Sequence, residues 1–218
     1  MARLRQGRAP ASSPTAYKVI SLLLQYPDER LLGARDEILA AVARLPLSRQ
    51  KESIERFCAY WAAGSPIELA QRYVEVFDLQ KRAGLYLTFY GHGDKRQRGM
   101  ALLRLKKLYR AAGFPLEGRE LSDYLPVMLE FAALASPEQG ETLLREHRSA
   151  IELVRMSLRD QESPYAHLLD AVCAGLPELS AAERAGVTEL VREGPPTEQV
   201  RLEPFAPPEV MPSTAPRR

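Results

Sequence analysis

Cysteine, histidine and tryptophan are scarce in this chain of 218 residues, at two, three and one. Cys58 and Cys173 stand far apart and belong to no C-x-x-C pair, so they read as small buried hydrophobes of a reduced protein. A metal site needs about three protein ligands of suitable type, and His92, His147 and His167 have no neighbours that complete such a set. No serine sits in a G-x-S-x-G turn and neither cysteine has a base beside it, which argues against a hydrolytic triad. No apolar run approaches the ~18–20 residues that span a bilayer. The opening "MARLRQGRAPASSPTAY" is basic but lacks the apolar core of a signal peptide, so a cytoplasmic protein is expected.

Strand-type alternation is missing as well, and helical spacing takes its place. Val19 to Leu24 form a first helix that stops near Tyr26-Pro27, because proline disfavours a helical residue before it. Leu32–Leu45 carries Ile38, Leu39, Val42 and Leu45 on one side. A helix from Ser48 or Arg49 places Ile54, Phe57, Cys58 and Trp61 at three- and four-residue steps before Gly-Ser-Pro breaks it. Pro66 opens the next, through Leu69, Tyr73, Val74 and Phe77. Another runs from Lys95–Arg98 to Gly113, a C′ glycine followed by Pro115. Asp123 reads as an N-cap for "YLPVMLEFAALA". Pro137 then starts one long helix to about Arg159, and Ser163-Pro164 caps a further helix through Val172. "SAAERAGVTELVREG" adds a marginal one. From Gly194 onward seven of 25 residues are proline and apolar spacing ends. The expected fold is therefore all-α: an arm over 1–15, a single compact helical domain over 16–193, and a proline-rich flexible tail over 194–218.

Charge is unevenly placed. Net charge is +2, yet Lys81–Arg110 holds nine Lys/Arg against one acid, Asp94. Gly91, Gly93 and Gly99 in this stretch do not make a phosphate loop, because the third glycine is displaced and no strand precedes them. Along the helix Ala101, Leu105, Leu108 and Ala112, flanked by Leu102 and Tyr109, form an apolar stripe, with the bases on the complementary arc. Such a face is a solvated surface, a partner-binding surface, or a phosphate-neutralising patch for nucleic acid. The aromatics add another element. Tyr73 and Phe77 are four apart on one helix, and Tyr86, Phe89 and Tyr90 follow closely. Core packing accounts for such a set, and so does a groove that takes the apolar face of a peptide helix.

"YVEVFDLQKRAGLYLTFYGHGDKRQRGMALLRLKKLYRAAGF", followed by "ELSDYLPVMLEFAAL", resembles the nitrate reductase assembly chaperone, or delta subunit, family. That family belongs to the wider group of molybdoenzyme maturation chaperones. The likeness continues through "SPYAHLLDAV" and "EPF", covers roughly Tyr17–Ala174, and is most specific over 73–135. It implies an all-helical chaperone without enzymatic activity or a permanent cofactor. Its partner would be the apo catalytic (alpha) subunit of a membrane-bound respiratory nitrate reductase, held by its N-terminal segment. This would prevent premature membrane docking while molybdenum cofactor and Fe-S clusters are inserted. Molybdenum cofactor biosynthesis proteins are further partners that the resemblance suggests, with neither nucleic acid nor stable membrane insertion. The family's Y-x-x-x-F motif falls on Tyr73 and Phe77, and its acidic loop on Ser122–Pro126, where serine and tyrosine replace the family's first proline and histidine.

From these residues the expected client groove is lined by Tyr73, Phe77, Tyr86 and Tyr90, with Tyr124 and Pro126 beside it. Asp123 and Glu130 would set the register against client cations. Arg96, Arg98, Arg104 and Lys107 would make a second partner contact. The alternatives from sequence are a basic helical nucleic-acid binder and a chaperone for a different molybdoenzyme.

Overall fold

The computed structural model describes residues 13–80, 82–92, 96–118 and 120–193. Residues 1–12, 81, 93–95, 119 and 194–218 lie outside the described residues, among them most of the expected arm and the whole of the expected tail. Among the described residues twelve α-helices follow one another: α1 (Pro14–Leu23), α2 (Glu29–Gly33), α3 (Arg35–Ala43), α4 (Arg49–Ala63), α5 (Pro66–Tyr73), α6 (Leu87–His92), α7 (Arg96–Ala111), α8 (Leu125–Leu134), α9 (Pro137–Glu146), α10 (Arg148–Asp160), α11 (Ala166–Ala174) and α12 (Ala181–Glu193). No helix among the described residues is long and apolar enough to cross a membrane.

Helix α1 is central because its apolar residues do not keep to one stripe. Ala16, Tyr17, Val19, Ile20, Ser21 and Leu23 are all buried, and the helix packs on α8, α11, α3 and α4. Its buried hydroxyls are satisfied, with Ser21 Oγ donating to the Pro126 carbonyl at 2.8 Å and Tyr17 Oη to Gly175 O at 3.3 Å. Helix α4 lies against α11, and the buried Gln50 side chain ties them by donating to Ala171 O at 3.2 Å. Trp61, Phe57 and Ile54 of α4 are fully buried, each worth about 1.5–3 kcal/mol by removal from water. Cys58 and Cys173 are buried and unbridged. Burial raises the Cys58 thiol to about 11, with Glu55 adding to the effect.

Local sequence explains most boundaries. Ser48 caps α4 by accepting from Lys51 N. Ser65 and Glu68 form a reciprocal capping box with Pro66 at the first position of α5, and Ser136 with Gln139 does the same for α9. Gly113 takes a φ of +88° after α7, the left-handed geometry that glycine supplies without strain.

Four expectations are corrected. The expected helix over 32–45 is two, α2 and α3, broken at Ala34 (ψ 10°). The expected long helix from Pro137 breaks at His147 (φ −107°, ψ 13°), whose Nδ1 pairs with Leu143 O at 3.0 Å. The two pieces can then pack differently, α9 on α8 and α10 on α11 and α12. Ser163 does not cap α11 with its side chain: its buried Oγ has no partner among the described residues. Helix α11 starts at Ala166, two residues after Pro164, where the Ser-Pro signal placed its first turn. Finally, Leu108 is 40% exposed while Leu105 and Tyr109 are buried, so the apolar stripe of α7 is narrower than its spacing suggests.

Candidate functional site

The motif residues Tyr73 and Phe77 sit where regular helix ends. After Tyr73 the chain makes one wide turn over Val74–Asp78, closed by the Leu79 N–H reaching back five residues to Val74 O at 3.1 Å. Such π turns are uncommon and often occur at functional positions. The Tyr73 and Phe77 rings are 4.9 Å apart between centroids. Tyr165, just before α11, lies edge-on to Phe77 at 4.8 Å and also meets Phe57 of α4 at 5.0 Å. The inner end of this aromatic set is therefore anchored in the core.

The outer end runs to the surface. Tyr73 Oη donates to Leu24 O at 3.2 Å and shares a hydrogen bond with Tyr124 Oη at 3.1 Å. The Tyr124 ring stacks on Tyr86 at 5.2 Å. On the other flank Tyr26 meets Tyr73 edge-on at 5.5 Å. One seam thus passes from Tyr165 and Phe77 through Tyr73 and Tyr124 to Tyr86. Burial raises the Tyr73 phenol well above its usual range and raises that of Tyr124, so both remain neutral hydrogen-bonding groups at physiological pH.

A short antiparallel pairing brings the Tyr86 and Ser122–Pro126 segments together. Tyr86 and Tyr124 form an isolated β-bridge. Around it, Leu87 N donates to Asp123 O at 3.0 Å and Leu125 N to Leu85 O at 2.8 Å. The segment is also held from α7. Tyr109 Oη donates to Ser122 O at 2.8 Å, and Ser122 Oγ to Leu102 O at 2.9 Å. Tyr86 Oη reaches Glu120 Oε1 at 3.0 Å at the surface.

The sequence-based groove is partly brought together and partly not. Tyr73, Phe77, Tyr86 and Tyr124 are contiguous, but Tyr73 and Phe77 are only 6% and 9% exposed, so no open trough runs between them. Tyr90 faces inward, donating its hydroxyl to Gly84 O at 2.8 Å and meeting Phe89 edge-on. Pro126 is buried in the first turn of α8. Glu130 stays half-exposed and pairs with Lys18 of α1.

Asp123 departs furthest from expectation. It does not cap α8, where Tyr124 holds the N-cap position with no side-chain capping bond. Nor is it open to a client cation, being fully buried. Its Oδ2 accepts from the Thr88 amide at 3.1 Å and from the Thr88 hydroxyl. Thr88 is in the first turn of α6, whose amides have no intrahelical acceptor, so Asp123 caps that helix from across the fold. Arg98 Nη2 stands 3.7 Å from the same oxygen, and the Arg98 guanidinium lies 5.8 Å from the Phe89 ring centroid. Arg98 therefore works internally, whereas Arg96 and Lys107 are exposed and Arg104 pairs with Glu146 at 3.2 Å on the surface.

Sequence reasoning missed Tyr26, Thr88, Glu120 and Tyr165. Tyr26 and Tyr165 stand next to prolines, where they read as helix punctuation, and nothing in sequence marks Thr88 as the partner of Asp123. Among the described residues no cluster of three or more His, Cys, Asp or Glu is placed to hold a metal ion.

Known proteins match this architecture and sequence. Residues 42–171 match the family model described as nitrate reductase delta subunit. A Bacillus subtilis protein named probable nitrate reductase molybdenum cofactor assembly chaperone NarJ is 34% identical over 167 residues, covering 77% of this chain and 91% of that one. The Escherichia coli K12 nitrate reductase molybdenum cofactor assembly chaperone NarJ is 31% identical, covering 70% of this chain and 65% of that one. A nitrate reductase-like protein NarX of Mycobacterium tuberculosis is 39% identical over 72% of this chain, a match confined to 24% of its own length. A crystal structure titled as a putative redox enzyme maturation protein from Archaeoglobus fulgidus shares the fold, with a TM-score of 0.52 at 21% identity over 87% of this chain and 98% of that one. With the family model spanning more than half of its length, the chain belongs to the nitrate reductase delta subunit family.

Proposed function

We propose that this protein is an assembly chaperone for a respiratory nitrate reductase. It acts in the cytoplasm without turnover of its own. It holds the N-terminal segment of the apo catalytic subunit, delays docking of that subunit at the membrane, and keeps it receptive while molybdenum cofactor and Fe-S clusters are inserted. The observation that carries this reading is the aromatic seam, coinciding with the family's Y-x-x-x-F positions. Its core end is packed, while its surface end presents Tyr86 at 36% exposure, Tyr26 at 49% and, two residues beyond Phe77, Leu79 at 69%.

An amphipathic client helix would lay its apolar side chains over Tyr26, Tyr86 and Leu79, with Tyr73, Phe77 and Tyr124 forming the supporting layer. Glu130, half-exposed beside Lys18, is available to a client cation. Asp123 and Pro126 act by fixing the segment that carries Tyr124. Arg96, Arg104 and Lys107 would meet an acidic patch on the body of the client. Burial of a few aromatic anchors, less the cost of ordering a free peptide, gives an affinity suited to later release.

Calorimetry with a peptide of the catalytic subunit's first residues tests this. Tyr86→Ala and Tyr26→Ala should each weaken binding about 5- to 30-fold, the effect of an interface anchor worth about 1–2 kcal/mol. Wild-type affinity in both variants would remove the seam as the client site. Steep, salt-dependent binding of DNA in place of the peptide would favour the nucleic-acid reading instead.

A further inference from the structure

Arg148, Glu152, Arg155 and Arg159 recur at steps of four, three and four along α10, so they share one face of that helix. Together with Arg49 and Arg56 of α4 they line a cleft of about 1020 Å³. None of these residues belongs to the aromatic seam. Across the whole lining, seven Lys and Arg side chains stand against four carboxylates. Leu47, Leu176 and Pro177 add apolar surface.

The ion pairs inside leave donor capacity over. Glu152 accepts from Arg148 Nη2 at 2.8 Å and from Arg155 Nη2 at 2.7 Å. Asp170 accepts from Arg155 Nη1 at 3.2 Å and from Arg159 Nη2 at 2.7 Å, with His167 Nδ1 at 4.0 Å. Three guanidinium groups thus share two carboxylates. Arg148 is only 6% exposed, and its Nη1 has no hydrogen-bond partner among the described residues. A buried donor of that kind is costly unless something completes it. Lys51 is already committed to Ala43 O and Leu45 O. Arg184 donates to Leu179 O.

We propose that this cleft binds a phosphate-bearing small molecule, with the α10 arginines and Arg49 and Arg56 around its phosphate oxygens. Guanidinium forks suit carboxylate and phosphate alike. Arginines contributed by two helices around one space favour a compact anion with oxygens in several directions over a planar carboxylate. The volume is more than a bare phosphate fills, and it lies at the upper end of the ~300–1,000 Å³ usual for small-molecule sites. The apolar part of the lining would take the organic portion.

The test uses the full chain and inorganic diphosphate, followed by calorimetry, with orthophosphate and citrate in parallel. The expected result is saturable one-to-one binding of diphosphate, about 10-fold tighter than either comparison anion. Arg148→Met can fail to fold, so the informative variants are Arg159→Ala and Arg56→Ala. Their side chains are exposed, and each should weaken binding about 10-fold. Lys106→Ala with Arg110→Ala, which removes two exposed charges of α7, should leave binding unchanged. Non-saturable binding, equal affinity for citrate, or equal weakening in the α7 variant would each overturn the proposal.

Discussion

Asp123 caps α6 from a position 35 residues further along the chain, its Oδ2 accepting the Thr88 amide at 3.1 Å together with the Thr88 hydroxyl. Because the carboxylate is fully buried and accepts both Thr88 donors, removing it strands an amide and a hydroxyl and takes away the carboxylate beside Arg98. Hydrogen bonds to a charged group are worth about 1.5–3 kcal/mol each, and a stranded buried donor costs about 1–3. Asp123→Ala should therefore lower unfolding free energy by about 3 kcal/mol in urea titration. Asp123→Asn, which keeps an acceptor oxygen, should lose about half as much. A loss below about 1 kcal/mol for the alanine variant would show that the cap contributes little.

Phe77 and Tyr86 occupy opposite ends of one seam, and that separates stability from binding. Phe77 is packed between Tyr73 and Tyr165, so Phe77→Ala should cost about 3–5 kcal/mol, as large-to-small changes in cores do. Tyr86 stacks on Tyr124 at the surface, and Tyr86→Ala should cost about 1 kcal/mol or less. Chemical denaturation of both variants checks this ordering. The consequence for function is that reduced client binding in Phe77→Ala cannot be separated from partial unfolding, whereas in Tyr86→Ala it can.

What could be read in the sequence and what could not divide along local and long-range causes. The Pro66 and Pro137 helix starts and the Gly113 exit follow from neighbours within a few residues, and the spacing alone reveals them. The break at His147 does not, because the apolar positions on both sides continue the same period. It exists so that α9 can cover α8 while α10 turns to α11 and α12. In the candidate site the Tyr73 and Phe77 pair was legible from its four-residue spacing. The bond from Tyr73 to Tyr124, the packing of Tyr165 and the Asp123 to Thr88 cap join residues tens of positions apart. Asp123 illustrates the limit: as an acid just before a helix it reads as that helix's cap, yet it caps another.

Helices α8 and α9 cross closely at Gly140. A Cβ there would lie 2.9 Å from Ala132 Cα and 3.0 Å from Ala132 O, both main-chain atoms that cannot swing aside. Gly140→Ala should cost about 1–3 kcal/mol through overpacking. Adding Ala132→Gly should not restore the loss, since those two atoms remain. Gly99, inside α7, has open space at the same position, and Gly99→Ala should stabilise by about 0.5–1 kcal/mol through helix propensity. Thermal melts of the three proteins distinguish crowding at Gly140 from a general effect of glycine replacement.

Glu183 links α12 to α9. Its carboxylate accepts from the Ser180 amide at 2.6 Å and from Arg145 Nε at 3.2 Å, while Ser180 Oγ accepts from Glu183 N at 3.2 Å. These bonds, those from Ser180 foremost, lower its pKa from 4.5 to about 2. A carboxyl depressed in the folded state contributes stability that is complete above its unfolded value and disappears as pH falls through its folded value. The anchoring of α12 should therefore weaken from about pH 4.5 down to about 2. In Glu183→Gln, which keeps an acceptor but no charge, this contribution to the pH dependence should vanish. Carbon-13 labelling of the glutamate carboxyls reads the site directly. The resonance lost in Glu183→Gln should titrate near 2 in the wild-type protein and move upward in Ser180→Ala, and a wild-type midpoint above 4 would mean that the cap does not hold the charge.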